Sequence, residues 1–406
     1  MPRIMIIAPH PDDEALGAGG IIYREAQKGN DVRVLFITAG DGFVQDAERY
    51  YFLLHVTPEE YLHLGYERQL EAERAMAHLG LKSDDIVCLG FPDGGLDRLL
   101  LHFDDVKPFK SPTTGETGVP YINIPTYKVP YTGRNLVDLL DRELRAFQPD
   151  ILVTPLLVDQ HPDHWATSAF ATLALLQCRA RGESWAKAAL HYGYLIHWTG
   201  WPLPLGYHPE LAMEMPPALK SHPFIAWHQE YYPEGTIEAK RRSLLAHESQ
   251  VELIKPFLQA FARRSEIFGQ VRPLVLGKRM VVPRPKSDVL TKLFHKEYGL
   301  MHSEWESDGR CLRAFFSPIV RLGWRLRLAE FSIGETTEFL SEEGEIGHWY
   351  SPQISVRNEA SGYNICWRQP ISESRRDDFK LMGFVIFDTE GKLVGRSGFW
   401  PWIKTV

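Results

Sequence analysis

Ile4-Met5-Ile6-Ile7-Ala8-Pro9-His10-Pro11-Asp12-Asp13-Glu14, followed by Gly17-Ala18-Gly19-Gly20, is the stretch from which the fold can be read. Ile4 to Ile7 is an apolar run that ends in Pro and Asp, which reads as a short buried strand, and the glycine-rich segment after it opens a helix. In an open parallel sheet the crevice at the carboxyl ends of the strands is where ligands bind. An imidazole and three carboxylates crowd this one turn. His10 and Asp13, three residues apart, can turn toward one point, and imidazole plus carboxylate suits a borderline cation such as zinc. Pro and Asp are also what an ordinary turn after a strand uses, so the heptad alone leaves both readings open.

The second stretch is Asp159-Gln160-His161-Pro162-Asp163-His164, which follows another buried run, Ile151 to Thr154. A second His-Pro-Asp cluster at a second strand end is hard to ascribe to turn chemistry. Together the two stretches resemble the PIG-L (LmbE-like) family of zinc-dependent N-acetylglucosaminyl deacetylases, whose signatures are an Ala-His-Pro-Asp-Asp-Glu loop and a later His-Pro-Asp-His loop. Pro9 stands where the family often has Ala, and the spacing from His10 to Asp13 is intact. Arg68-x-x-Glu71 with Ala75 and Leu79-Gly80 resembles the family's second helix. Leu89-Gly90-Phe91-Pro92-Asp93-Gly94 resembles its third strand-to-loop junction, and Lys240 through His247-Glu248-Ser249-Gln250 its late helix. The resemblance covers roughly residues 1–280. It implies removal of acetyl from the 2-amino group of N-acetylglucosamine in glycolipids, glycosyl thiols, antibiotics or oligosaccharides. It also implies one zinc ion per chain, with Fe2+ as the alternative, a substrate contact for Arg68, and His247 within reach of the site.

The fold expected is α/β: a Rossmann-like, mostly parallel sheet with helices on both faces, plus a small antiparallel β domain at the carboxyl end. Strand, helix and second strand (Val32 to Ile37) form a βαβ unit, which requires parallel pairing. Thr38 to Gly42 is a loop at the same sheet end as His10. Tyr50 to Leu62 reads as a partly helical insertion and Glu67 to Leu79 as a helix. Leu96 to Thr132, long and rich in Pro and Tyr, reads as a lid. Arg134 to Phe147, Trp165 to Arg179, Glu238 to His247 and Val251 to Arg264 read as helices, and Leu190 to Trp198 as β-like, with His197 a packed or rim histidine. The domain assignment is 1–280 for the deacetylase-like part, 281–292 for a linker and 293–406 for a β-rich accessory part. In the last, Phe331 to Phe339, His348 to Val356, Tyr363 to Arg368 and Met382 to Phe387 are β-prone, and Asp388 to Gly391 is a hairpin turn. Trp349, Trp367, Trp400 and Trp402 suit sugar stacking or a core.

A length of 406 residues fits two domains, and 44% hydrophobic with 24% charged residues is ordinary globular composition. The net charge of -7 argues against a nucleic-acid partner. The 4 widely spaced cysteines form neither a thiolate zinc site nor a disulfide scaffold. With a first strand that begins at once and no run of about 20 apolar residues, a soluble cytoplasmic protein is expected. Its partner would be a small-molecule or glycoconjugate substrate. Homo-oligomerisation and the identity of the conjugate stay open.

His10, Asp13 and His164, with one position left for water, are the expected ligand set of a catalytic zinc. Asp12 is expected to point away from the ion and act as general base. His161 is expected as an imidazolium beside the oxyanion, its ring held by Asp163. Glu14 should hydrogen-bond a ligand. Asp93 should form a pocket wall, although Pro-Asp-Gly is also a plain turn; an Arg in a helix, as at Arg68, is ordinarily a surface charge. These roles describe a metal-dependent N-deacetylase. A mononuclear non-haem iron enzyme and a non-catalytic carbohydrate-binding protein are the alternatives.

Overall fold

The structure is a computed structural model that describes residues 1–42, 56–275, 280–282, 303–307, 311–316, 324–334, 337–345, 354–359, 362–368, 379–391 and 393–403. It divides into two compact units, one of residues 1–178, 182–216 and 227–270, the other of 179–181, 217–226 and 271–406.

The first unit is built on a seven-stranded sheet in the order β3-β2-β1-β4-β5-β7-β6. Its strands are β1 (Arg3–Ala8), β2 (Asp31–Thr38), β3 (Ile86–Phe91), β4 (Ile151–Pro155), β5 (Leu190–Tyr194), β6 (Ile225–Tyr231) and β7 (Ser265–Val271). β1 to β5 are mutually parallel, and β7 meets β5 antiparallel at Gly193 and Gly269. Chain order reverses direction between β1 and β4, so the switch point lies between the two strands that carry the His-Pro-Asp loops. β6 and β7 are strands that the sequence reading missed; it had the last helices close the domain.

The helices are α1 (Asp13–Gln27), α2 (Pro58–His78), α3 (Leu96–Leu101), α4 (Gly133–Phe147), α5 (Pro162–Ala180), α6 (Ser184–Ala188), α7 (Glu234–Leu245) and α8 (Glu248–Gln259). On one sheet face Ile4, Ile6, Ala8, Val34 and Phe36 share a core with residues of α1, α2 and α7. The alternate residues Met5, Ile7, Leu35 and Ile37 are equally buried, so the sheet is covered on both faces, as parallel sheets are. α2 begins at Pro58 behind a Thr57 capping box, so Tyr61 and Leu62 are part of it; residues 50–55 of the expected insertion lie outside the described residues. No helix among the described residues is long and apolar enough to cross a membrane.

The expected lid is a fixed wall. α3 occupies its start and Gly118 bridges Pro130. Tyr121 and Tyr131 are fully buried, and the Tyr131 hydroxyl donates to Gly90 O at 3.1 Å and Thr126 Oγ1 to Leu89 O at 2.9 Å. Hydrogen bonds to strand ends replace the freedom that a long connection suggests.

Among its described residues the second unit carries two sheets. β14 (Ile354–Glu359), β15 (Gly362–Arg368), β11 (Cys311–Phe316), β10 (Ser303–Ser307) and β9 (Met280–Val282) lie antiparallel in that order. The other runs β13 (Thr337–Glu345), β12 (Arg325–Ile333), β16 (Phe379–Phe387), β18 (Trp400–Ile403) and β8 (Leu274–Val275), with β17 (Leu393–Arg396) on β16. Among the described residues its pairs are antiparallel except β18 with β8. Phe331 to Phe339 falls on two strands, β12 and β13, and Val281 and Val282 of the expected linker are in a strand; 335–336 and 283–292 lie outside the described residues. So does Trp349, and no side-chain placement is described for Trp367, whereas Trp400 and Trp402 are fully buried in the core.

Candidate metal centre

Because β1 to β5 run parallel, the segments that leave their carboxyl ends gather at one edge of the sheet. β1 delivers His10 to Glu14, β2 delivers Thr38 to Gly42, β3 delivers Asp93, β4 delivers Asp159 to His164 and β5 delivers His197. Asp13 and Glu14 open α1, and Asp163 and His164 lie in the first turn of α5.

His10 and His164 both face the carboxylate of Asp13. Asp13 Oδ2 lies 3.1 Å from His10 Nδ1 and 3.2 Å from His164 Nε2. Burial alone would raise Asp13, but the two imidazoles hold it well below the usual carboxylate range. Burial alone would lower His164, and Asp13 and Asp159 instead raise it to about 10. His164 Nε2 is buried and not aligned in any hydrogen bond among the described residues. A buried nitrogen and a carboxylate oxygen that face each other without such alignment are donors placed for a third body between them. The residues therefore fit a divalent cation, and His/Asp groups with ligand atoms within 4.8 Å of one another recur here: His10, His161 and His164; Asp13, His164 and His197; His10, Asp93 and Asp163.

Each of these two rings, His164 and His10, is held from behind. His164 Nδ1 lies 3.3 Å from Asp159 Oδ2, and Asp159, fully buried, accepts from the backbone N–H groups of His161, Ile196 and His197. Despite burial, His164 keeps it well below the carboxylate range. His10 Nε2 faces Asp163 Oδ2 at 3.1 Å and Asp93 Oδ1 at 3.2 Å. Asp163 is fixed by the N–H of Gly94 at 2.7 Å and of Leu96 at 3.0 Å, and Asp93 by that of Gly42 at 2.8 Å. Burial works against protonation of His10, yet Asp93, Asp13 and Asp163 raise it well above the imidazole range.

Three expectations are corrected here. Asp163 holds His10, not His161, because its carboxylate is turned toward the β1 loop. His161 instead receives the Asp163 backbone N–H on Nδ1 at 3.2 Å, which leaves its proton on Nε2. Nor is it an imidazolium: burial and the neighbouring His164, His197 and His10 press it down to about 3. Glu14 does not reach a ligand; its Oε2 accepts the Asp12 backbone N–H at 2.9 Å.

Asp12 is backbone-strained, with φ 123° and ψ -30°. Its Oδ2 lies 3.3 Å from Arg68 Nη2. Burial raises its carboxyl to about 7, against the pull of Arg68. Arg68 is no surface charge: it is 3% exposed, and it also donates to Pro11 O at 2.6 Å and Gly40 O at 2.8 Å. Arg68 and Asp93, expected at the substrate, are thus engaged with protein groups. His197, read as packed or rim, has its ring 4.6 Å from that of His164 and 5.1 Å from that of His161. The signal that could have found it is its place just past the carboxyl end of a parallel strand.

Residues 5–175 match the model of the PIG-L family, GlcNAc-PI de-N-acetylase. Among curated relatives, a protein of Bacteroides thetaiotaomicron named glucosamine-6-phosphate deaminase-like is 25% identical over 65% of this chain and 38% of its own length. A 1D-myo-inositol 2-acetamido-2-deoxy-alpha-D-glucopyranoside deacetylase of Tsukamurella paurometabola is 28% identical over 47% of this chain and 61% of that one. One of the same name from Rhodococcus jostii is 26% identical over 70% of this chain and 91% of that one. The chain thus spans less than two thirds of the first two relatives.

Proposed function

We propose, from the premise that residues 5–175 belong to the PIG-L family of GlcNAc-PI de-N-acetylases, that this chain is a metal-dependent amide hydrolase acting on an N-acetylglucosamine-type conjugate. One observation carries the reading. Two loops some 150 positions apart in sequence bring the imidazoles of His10 and His164 onto the buried carboxylate oxygen of Asp13 at the switch point, with Asp12 and His161 adjoining. A pure sugar-binding pocket has no use for that set.

His10, Asp13 and His164 would hold the ion, which we take to be one zinc per chain, with Fe2+ the alternative. A bound ion supplies a Lewis acid that polarises an amide carbonyl and acidifies a water molecule. Asp12, held near 7 by burial, has the affinity for a proton that a general base needs at neutral pH. It takes the proton of the attacking water and returns it to the departing amine nitrogen. His161, neutral with its proton on Nε2, donates a hydrogen bond to the carbonyl oxygen as charge develops there. Arg68 and Asp93 act through the loops they fix.

The test is acetate release from N-acetylglucosamine conjugates by chelator-treated protein with and without added zinc. Turnover should require the ion, and Asp12→Asn should lose about 10²- to 10⁴-fold in kcat while still binding zinc. Undiminished turnover in Asp12→Asn would refute the assignment.

A further inference from the structure

Behind the strained Asp12 lies a second buried pair that the proposed chemistry leaves unused. Glu14 and His247 are both fully buried, and Glu14 Oε1 lies 3.4 Å from His247 Nε2, an ion-pair contact that is not aligned as a hydrogen bond. The other oxygen of Glu14 accepts the Asp12 N–H at 2.9 Å. His247 is the N-cap residue of α8, where the N–H groups of Gln250 and Val251 bond its carbonyl. The ring is therefore anchored by an element that contributes no ligand.

The cost of the Asp12 conformation is what makes this pair informative. A φ of 123° is one that a side-chain-bearing residue adopts only where its surroundings over-determine it. Three groups do so: the Leu16 N–H bonds Asp12 O at 2.9 Å, Arg68 bonds the preceding carbonyl of Pro11 at 2.6 Å, and Glu14 bonds the Asp12 N–H. The first is a bond that any helix start makes, and Arg68 does not touch the peptide N–H. Arg68 and Glu14 therefore hold the two ends of the one peptide between Pro11 and Asp12, and Glu14 is the side chain that holds its N–H. Adjacent Asp13 points to His10 and His164, and Asp12 faces Arg68 with the peptide between Pro11 and Asp12 turned in this way.

We infer that Glu14 and His247 are positioning residues: Glu14 locks the backbone of Asp12 in its left-handed conformation, and His247 locks Glu14. The inference rests on the general-base reading of Asp12. It assigns to the late-helix histidine a role away from the ligands, through a carboxylate and one peptide.

Crystal structures and kinetics of Glu14→Ala, Glu14→Gln and His247→Gln test it. In Glu14→Ala, Asp12 should leave positive φ and its carboxylate should part from Arg68. kcat should drop on the order of 10²-fold, as misplacement of a catalytic group does, with KM little changed. Zinc affinity should stay within about threefold, short of the roughly 10- to 100-fold loss that follows removal of a partner orienting a metal ligand. Glu14→Gln keeps an acceptor oxygen and should restore most of kcat and the Asp12 geometry. His247→Gln should lower kcat in the wild-type background and add nothing to Glu14→Ala. Asp12 retained at positive φ against Arg68 in Glu14→Ala would overturn the inference, whatever the activity. So would a loss of activity that follows zinc affinity. Should Glu14→Ala not fold, the same two readings on His247→Gln decide. A wild-type protein without deacetylase turnover would count against the functional reading, while the crystallographic comparison would still judge the pair.

Discussion

At the scale of the residue, the site separates groups that face the ligand point from groups that hold them. Asp159 is the clearest holder: one buried carboxylate pairs with His164 Nδ1 and accepts three backbone N–H groups from the β4 and β5 ends. Asp159→Ala should therefore weaken zinc binding by about 10- to 100-fold, as loss of a carboxylate behind a ligating histidine does. Competition with a chromogenic chelator measures it. At saturating zinc kcat should stay within a few-fold of wild type, the reverse of the pattern expected for Asp12→Asn. The candidate cluster was legible in sequence because imidazole and carboxylate at strand ends have few other uses in combination. What each second nitrogen meets was not legible: the partners of His10 come from β3 and α5, and nothing in local spacing says which carboxylate turns toward which ring.

At the scale of the element, the glycines of α1 do more than open a helix. They lie inside it, where each costs roughly 0.5–1 kcal/mol relative to alanine, and close packing explains them. A Cβ on Gly17 would stand 2.3 Å from the ring of Tyr194 in β5, and one on Gly20 2.5 Å from that of Tyr232. Glu266 of β7 meets this bare helix surface, accepts the N–H groups of Gly20 and Ile21 and pairs with buried Lys240 of α7. Gly17→Ala should displace the start of α1, and with it Asp13, from the sheet. A stability loss of roughly 1–3 kcal/mol is expected from overpacking, read as a shift in the denaturant midpoint at unchanged slope.

At the scale of the whole molecule, the two units do not divide the chain at one point, since residues 217–226 belong with the carboxyl-terminal unit. There His222 stacks on Trp400 with ring centroids 5.7 Å apart and planes 2° from parallel, and Phe224 packs against the same indole. A protein ending at residue 270 should thus lose solubility, because His222 and Phe224 lose the ring that covers them. Burial lowers His222 to about 4 from an unfolded value near 6.5. The unfolded chain binds the proton more readily, so stability is full above about pH 6.5 and is lost as pH falls toward 4; the ceiling is roughly 3 kcal/mol. His222→Phe keeps the stack without the titration and should flatten the acid side of the melting-temperature profile between pH 7 and 4. An unaltered profile would mean that another group controls that limb.

The sequence by itself determined the α/β class, the two strand-end clusters and the family resemblance, because strand periodicity, glycine placement and ligand chemistry are local properties of the chain. Tertiary structure alone decided that the expected lid is bonded to the strand ends, that Arg68 is a buried clamp, that Asp163 serves His10, that His197 adjoins the site and that Glu14 meets His247. Each of these depends on which distant backbone or side chain fills the space beside a residue. Parallel strand order sets that, by bringing the carboxyl ends of five strands to one edge whatever their separation along the chain.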